Sequence, residues 1–413
     1  MSGASGQRGT ARRIAIVSAS VGAGHDGAAG ELARRLREAG FMVDCHDFLD
    51  LLGEHAGRAL RGTYAAELKV APNSWGWLIG QLERRDWLAA AIRALFARGA
   101  ARRSMLAMSG TAEVPEPAVV VSTYPLASQA LGRLRGQGRL AAPVVTFLTD
   151  MSVHPLWVAD GIDLHLALHE VAAVDARRLS GSFVEVCRPA VRPAFHPITD
   201  PDEPARTRAR YGLPERGRVA LVVAGSWGVG EVAEAAMDLA ATGLVTPVTV
   251  CGRNERLRER LVRSGTGVPL GWVDDMPALI RASDVVVQNA GGLTSLEAMA
   301  VGVPVVTYRC LPGHGATNAR ALDEAGLATW VRRPDELAEV LSDILDGQLG
   351  KRQLATSGEL FDAPCPVASI AALAGAAEQD RHLPAPRRLP PAKVGVGRRV
   401  GRRLAAAASG LNR

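Results

Sequence analysis

Short apolar runs alternate along this chain with longer segments whose apolar positions recur at helical spacing. "RRIAIVSAS" (12–20) reads as a strand and is followed by a glycine-rich loop. "AAGELARRLREAG" (28–40) then places Leu32 and Leu36 one turn apart on an otherwise charged helix that ends at Gly40. "FMVDCHDF" (41–48), "PAVVVST" (117–123), "APVVTFLTD" (142–150) and "DLHLALHE" (163–170) read as further strands, with a helix at "LASQALGRLR" (126–135). The second half repeats the alternation. Strands are predicted at "RVALVVAG" (218–225), "VTPVTVCG" (245–252), "DVVVQNA" (284–290) and "VPVVTYR" (303–309). Helices are predicted at "EVAEAAMDLAATG" (231–243), "MPALIRAS" (276–283) and "LEAMAVG" (296–302).

Strands separated by helices imply parallel sheets with crossovers. The fold class is therefore α/β, with two doubly wound, Rossmann-like domains over 12–190 and 218–378. A Pro- and Arg-rich linker, 191–217, joins them. Two such sheets facing each other leave a cleft between their strand carboxyl ends, where ligands of open α/β sheets bind.

Composition narrows the class. The chain is 47% hydrophobic and 22% charged, as soluble globular proteins are. Its five cysteines form no C-x-x-C pair, which argues against a disulfide framework and for a reducing, cytoplasmic setting. The apolar run after the N-terminus is too short for a signal sequence, so none is expected, and no stretch reaches the roughly 18 apolar residues of a spanning helix. The formal net charge of +6 is uneven, because 381–413 holds one Lys, eight Arg and no acid, leaving 1–380 net negative. A nucleic-acid surface spreads its basic residues over the folded body, so nucleic acid is not an expected partner. The tail, 379–413, is expected to be disordered and to favour anionic lipid.

Residues 58–103 interrupt the first half. They combine Trp75, Trp77 and Trp87 with Arg84, Arg85 and other arginines around an apolar stripe. That mixture suits an anionic membrane surface. It also suits a core-facing helix with a solvated basic face.

Two glycine loops carry the candidate chemistry. In "SASVGAGHDGAAG" (18–30), Gly22, Gly24 and Gly27 satisfy G-x-G-x-x-G between a strand and a helix, and Asp44 lies about twenty residues on. Alone, that supports an NAD-type dinucleotide site. His25 is the discordant residue, since a pyrophosphate cradle needs no imidazole. A neutral imidazole there can remove a proton from a hydroxyl, an effect worth roughly 10²–10⁴ in rate. It can equally serve only to cap the helix. In "QNAGGLTSLEAMAVGVPVV" (288–306), Gly291 and Gly292 end a strand, and Glu297 falls one turn inside the next helix. Helix N–H groups there can hold phosphate, and a carboxylate can accept both ribose hydroxyls. "AGSWGVG" (224–230) is a further glycine loop, with Ser226 available to a diphosphate.

The ordered set "SASVGAGH", "VSTYP", "FLTDMSVHPLWV", "RPAVRPAF", "GWVDDMPALIRASDVVVQNAGGLTSLEAMAVGVPVV" and "LPGHGATNARALDEAG" spans roughly residues 14–330. It resembles the inverting GT-B glycosyltransferases of the monogalactosyldiacylglycerol synthase and peptidoglycan N-acetylglucosaminyltransferase family, diacylglycerol glycosyltransferases above all. The resemblance implies His25 as general base and Glu297 as ribose ligand. It implies Ser226, Gly291, Gly292 and Thr294 along the donor diphosphate and nucleoside, and Asn318 near the donor sugar. Gly24, Asp150, His154 and Trp157 would lie on the acceptor side. Inversion needs one base and a stabilised leaving diphosphate, which helix N-termini can supply. No D-x-D motif flanks the glycine loops, in keeping with transfer that needs no metal or other cofactor. One departure stands out: where the family commonly has Gln-Glu after "LPG", this chain has His314-Gly315. Galactose, glucose and N-acetylglucosamine all stay open as the sugar.

Other residues are assigned humbler roles. "DLHLALHE" puts His165 and His169 on one polar strand face, too few ligands for zinc. Asp274 and Asp275 begin a helix as caps. Trp272 reads as packing, with uracil contacted by backbone near 271–273. The expected function is hexose transfer from a UDP-sugar to a lipid hydroxyl, on the inner face of the cell membrane. The alternatives are an NAD-dependent oxidoreductase and a catalytically silent nucleotide-sugar binder.

Overall fold

The computed structural model describes residues 12–20, 23–60, 62, 99–101, 103–111, 114–223, 225 and 229–380. Trp75, Trp77, Arg84, Arg85 and Trp87 of the interrupting segment, Ser226 and the basic tail lie outside the described residues.

The first lobe runs β1 (Arg13–Ser18), α1 (Ala23–Glu38), β2 (Met42–Asp47), α2 (Phe48–Leu52), β3 (Val119–Ser122), α3 (Pro125–Gly136), β4 (Val144–Phe147), β5 (Leu164–Ala167), α4 (Glu170–Ser180) and β6 (Val184–Val186). Its six strands are parallel, in the order β2-β1-β3-β4-β5-β6. β1, β3, β4 and β5 are buried throughout, which explains their unbroken apolar character.

After the linker come α5 (Glu203–Tyr211), β7 (Val219–Val223), α6 (Val232–Ala241), β8 (Thr246–Val250), α7 (Glu255–Ser264), β9 (Val268–Leu270), α8 (Met276–Arg281), β10 (Val285–Gln288), α9 (Leu293–Val301), β11 (Val305–Tyr308), α10 (His314–Glu324) and β12 (Thr329–Val331). α11 (Leu337–Asp346), α12 (Gln348–Asp362) and α13 (Pro366–Asp380) close the described chain. The second sheet has the order β12-β11-β10-β7-β8-β9, again all parallel. α13 returns to the first lobe. Its Ile370 and Ala374 are buried in the main core cluster, and Ser369 Oγ donates to Glu185 at 2.6 Å.

One charged pair is built into the first sheet. Arg13, nearly buried, donates to both Asp44 oxygens at 2.8 and 2.9 Å. His46 also reaches that carboxylate. Burial alone would raise the Asp44 carboxyl, but the bonds from His46 and Arg13 outweigh it and hold it well below the usual range. The acid that a dinucleotide reading assigns to ribose is thus already committed within the sheet.

Candidate active site

Both sheets reverse their strand order at one place, and the loops there are where an open α/β sheet receives ligands. In the first lobe that place lies between β1 and β3; in the second, between β7 and β10. Each is marked by a hydrogen bond across it. His25 Nδ1, from the start of α1, lies 2.9 Å from the carbonyl oxygen of Thr123 just after β3. Asn289 Nδ2, just after β10, donates to the Val229 carbonyl at 2.8 Å.

The two places face each other because small residues let the lobes meet. A Cβ built on Gly27 would lie 2.6 Å from Leu293 Cδ2, and one on Gly24 would lie 3.9 Å from Leu293 Cβ. Gly24 and Gly27 belong to α1, and Leu293 is the first residue of α9. The helix carrying His25 therefore touches the helix carrying Glu297 close to both N-terminal ends.

His25 is held from several sides. Its Nδ1 also lies 2.8 Å from Thr149 Oγ1. A carbonyl can only accept, so the Thr123 contact puts the ring proton on Nδ1 and the basic lone pair on Nε2. Tyr124 meets the ring edge-on at 5.2 Å, and Trp157 lies 6.0 Å away. Trp157 is fully buried and its indole N–H donates to Asp150 Oδ2 at 2.7 Å. His154 is buried 6.3 Å from Trp157. The structure thus gathers His25, Asp150, His154 and Trp157 into one wall.

The opposite wall is the turn between β10 and α9. Gln288 Oε1 accepts from the backbone N–H groups of Ala290 and Gly291, and its Nε2 donates to Thr307 Oγ1 at 2.8 Å. Gly291 takes φ +71°, a left-handed conformation that favours glycine, and a Cβ there would lie 2.7 Å from Asn318 Cβ. Gly292 is the N-cap, so the first amides of α9, Thr294 among them, have no side-chain cap among the described residues and suit a ligand. Gly291→Ala is expected to cost about 1–3 kcal/mol, from left-handed strain and crowding against Asn318. Its thermal midpoint should fall; an unchanged midpoint would contradict this reading of the turn.

Glu297 is only 9% exposed. Burial raises its carboxyl to about 7, against the opposing pull of the Arg192 charge. A buried, lightly compensated acceptor one turn into a helix suits paired hydroxyl groups.

Comparison with known proteins agrees with this geometry. Residues 25–186 match the family model for monogalactosyldiacylglycerol (MGDG) synthase, and residues 217–347 match that for glycosyl transferases group 1. The chain has the GT-B glycosyltransferase fold. A Bacillus cereus (strain G9842) relative, a processive diacylglycerol beta-glucosyltransferase, is 28% identical over 283 residues, covering 66% of this chain and 71% of the relative. The Bacillus subtilis (strain 168) protein of the same description is 29% identical over 238 residues, covering 56% and 61%. Among solved structures, MurG of Acinetobacter baumannii superposes with a TM-score of 0.52 at 16% identity, over 89% of this chain and 99% of that one. Anabaena HepE in complex with UDP gives 0.52 at 15% identity, over 89% and 100%.

Within this GT-B frame the structure revises several sequence expectations. His165 and His169 do not share a polar strand face. His165 is fully buried in β5, where burial lowers its imidazole to about 4. His169 caps α4 through Ala172 N and contacts the Met151 carbonyl oxygen at 2.9 Å. Trp272 is not a packing residue: it is 55% exposed, stacked by Arg253 at 5.0 Å and tied to Asp274 at 2.9 Å. Asp274 therefore holds an indole, while Asp275 alone caps α8. Away from the glycine loops, D-x-D spacing occurs at Asp200 and Asp202 in the linker, which leaves the expectation about those loops as it was; exposed Asp200 pairs there with Arg206. Among the described residues no group of three or more metal-ligating side chains converges. At the His314-Gly315 departure, a Cβ on Gly315 would lie 2.7 Å from the Asn289 carbonyl oxygen, so the start of α10 has no room there for a larger residue.

Three residues with direct roles escaped the sequence reading. Thr123 and Thr149 orient His25, and Ser152 reaches across to Asn318. All three lie inside "VSTYP" and "FLTDMSVHPLWV", and Thr149 and Ser152 stand close to Asp150 and His154, which were singled out for charge and ring.

Proposed function

We propose that this chain transfers a hexose from a UDP-sugar to a lipid hydroxyl, diacylglycerol first, with inversion to a β-glycolipid. The observation that carries the reading is the meeting of α1 and α9, which sets His25 opposite the uncapped helix start and Glu297. Glu297 accepts from the ribose, and the Gly291–Thr294 backbone takes the diphosphate. Nε2 of His25 removes the acceptor proton as the hydroxyl oxygen bonds to the anomeric carbon. The bond from that carbon to the β-phosphate oxygen breaks, and UDP leaves with its electron pair. The chain's own amides stabilise the departing charge, so the proposed transfer requires no metal. Glucose is the first sugar to test, because the relatives' descriptions name it.

Among the described residues no helix is long and apolar enough to cross a membrane. We place the protein on the cytoplasmic face of the cell membrane, held by the Trp- and Arg-bearing 58–103 segment and the basic tail. A panel of UDP-sugars offered with vesicles of diacylglycerol and anionic phospholipid tests the whole reading. A β-linked glycolipid from one donor is expected; no product from any donor, or UDP release without a glycolipid, would overturn it. The oxidoreductase alternative loses its ribose ligand, since Asp44 is bound by Arg13.

A further inference from the structure

The loop between β4 and β5 touches both halves of the site. Near its start Thr149 Oγ1 lies 2.8 Å from His25 Nδ1. Three residues on, Ser152 crosses to the second lobe. Its backbone N–H and its Oγ both donate to Asn318 Oδ1, at 2.9 and 2.8 Å, and Oγ lies 3.2 Å from Thr317 Oγ1. Asn318 is fully buried, and its Nδ2 donates to the Ala290 carbonyl at 3.1 Å, on the turn that opens α9. The intervening backbone is anchored. Met151 is fully buried and its carbonyl meets His169 Nε2 at 2.9 Å, while Gln129 Nε2 donates to the Leu156 and Val158 carbonyls at 2.8 and 2.9 Å.

We infer that Ser152 is a positioning residue: an interlobe latch that sets the β4–β5 loop, which holds His25 through Thr149, in register with the donor turn through Asn318. The latch acts on the transfer proposed above and therefore rests on that reading for its catalytic consequence. Its structural consequence does not. The UDP contacts proposed above lie in the second lobe alone, so opening the latch should leave nucleotide affinity in place and move the base relative to the anomeric carbon. A hydroxyl that merely stabilised its own loop would have no such signature.

The test compares the full chain with Ser152→Ala, Ser152→Thr and Asn318→Ala. In Ser152→Ala the lost hydroxyl bonds should lower kcat by about ten-fold. The UDP dissociation constant should stay within about two-fold, and Ser152→Thr should recover most of the rate. Combining Ser152→Ala with Asn318→Ala should cost no more than Asn318→Ala alone, as coupled partners do. Amide hydrogen exchange supplies a readout that needs no turnover. In Ser152→Ala, exchange should quicken in both 149–154 and 289–293, two segments far apart in sequence. Parental exchange in 289–293 would overturn the latch whatever the chain catalyses. Parental kcat beside quickened exchange would overturn its catalytic role. A parent that turns over no donor, yet shows the exchange effect, would count against the transferase reading and not against the latch.

Discussion

His25→Ala is expected to lower the transfer rate by about 10²–10⁴-fold, the usual worth of a positioned general base. UDP affinity should hold, because every donor contact proposed here lies in the second lobe. The geometry makes the expectation specific. The Thr123 carbonyl fixes the proton on Nδ1, so Nε2 is the nitrogen that can take one from an acceptor. His25→Gln, which keeps a polar group but no basic nitrogen, should be as poor as alanine. Single-turnover transfer with saturating UDP-sugar separates chemistry from binding. If His25→Ala transferred sugar at near-parental rate, the base would have to be sought elsewhere along the wall of Asp150, His154 and Trp157.

Glu297→Ala should produce the other large effect, on binding. If Glu297 accepts both ribose hydroxyls as proposed, its removal is expected to weaken UDP by about 10–100-fold, at roughly 1.5–3 kcal/mol for hydrogen bonds to a charged group. Lipid binding should barely change. The same residue gives a pH signature. Burial raises its carboxyl to about 7, so the ionised acceptor is present above that pH and is lost as pH falls through it. If only the carboxylate binds ribose, affinity should drop about ten-fold between pH 8 and pH 6. Uridine is the cleaner probe, because it carries no phosphate that titrates in that window. The sign for stability is opposite. A carboxyl whose folded pKa is raised costs the folded state stability as pH climbs above its unfolded value, so the apo protein should gain stability on mild acidification from this group. Glu297→Gln should flatten both dependences; a uridine affinity that stayed pH-independent in the parent would remove Glu297 from the ribose.

The strands that frame the site were legible because they are buried on both faces. "RIAIVS" and "VVVQ" carry an unbroken apolar signal with glycines at their carboxyl ends, and these are β1 and β10 at the two switch points. The edge strands β6, β9 and β12 were not legible. Each has three residues and is only partly buried, and β9 includes Pro269, so no alternating pattern has room to form. The starts of the helices that carry His25 and Glu297 were visible for a similar reason: glycine before an apolar-periodic run is strong punctuation. Thr123, Thr149 and Ser152 were not. Hydroxyl residues carry no periodic signal, and their roles arise only when separate loops meet. Trp272 misled because tryptophan usually buries its ring, whereas here Arg253 and Asp274 hold it at the surface.

The central claim is that His25 and Glu297, from different lobes, serve one bound UDP-sugar. A crystal structure of the UDP complex tests it most directly. The account predicts the ribose hydroxyls on Glu297, the diphosphate against the Gly291–Thr294 backbone, and its terminal phosphate directed toward His25. Nucleotide seated instead in the glycine loop between β1 and α1, with its ribose toward Asp44, or on a face that His25 cannot reach, would contradict it.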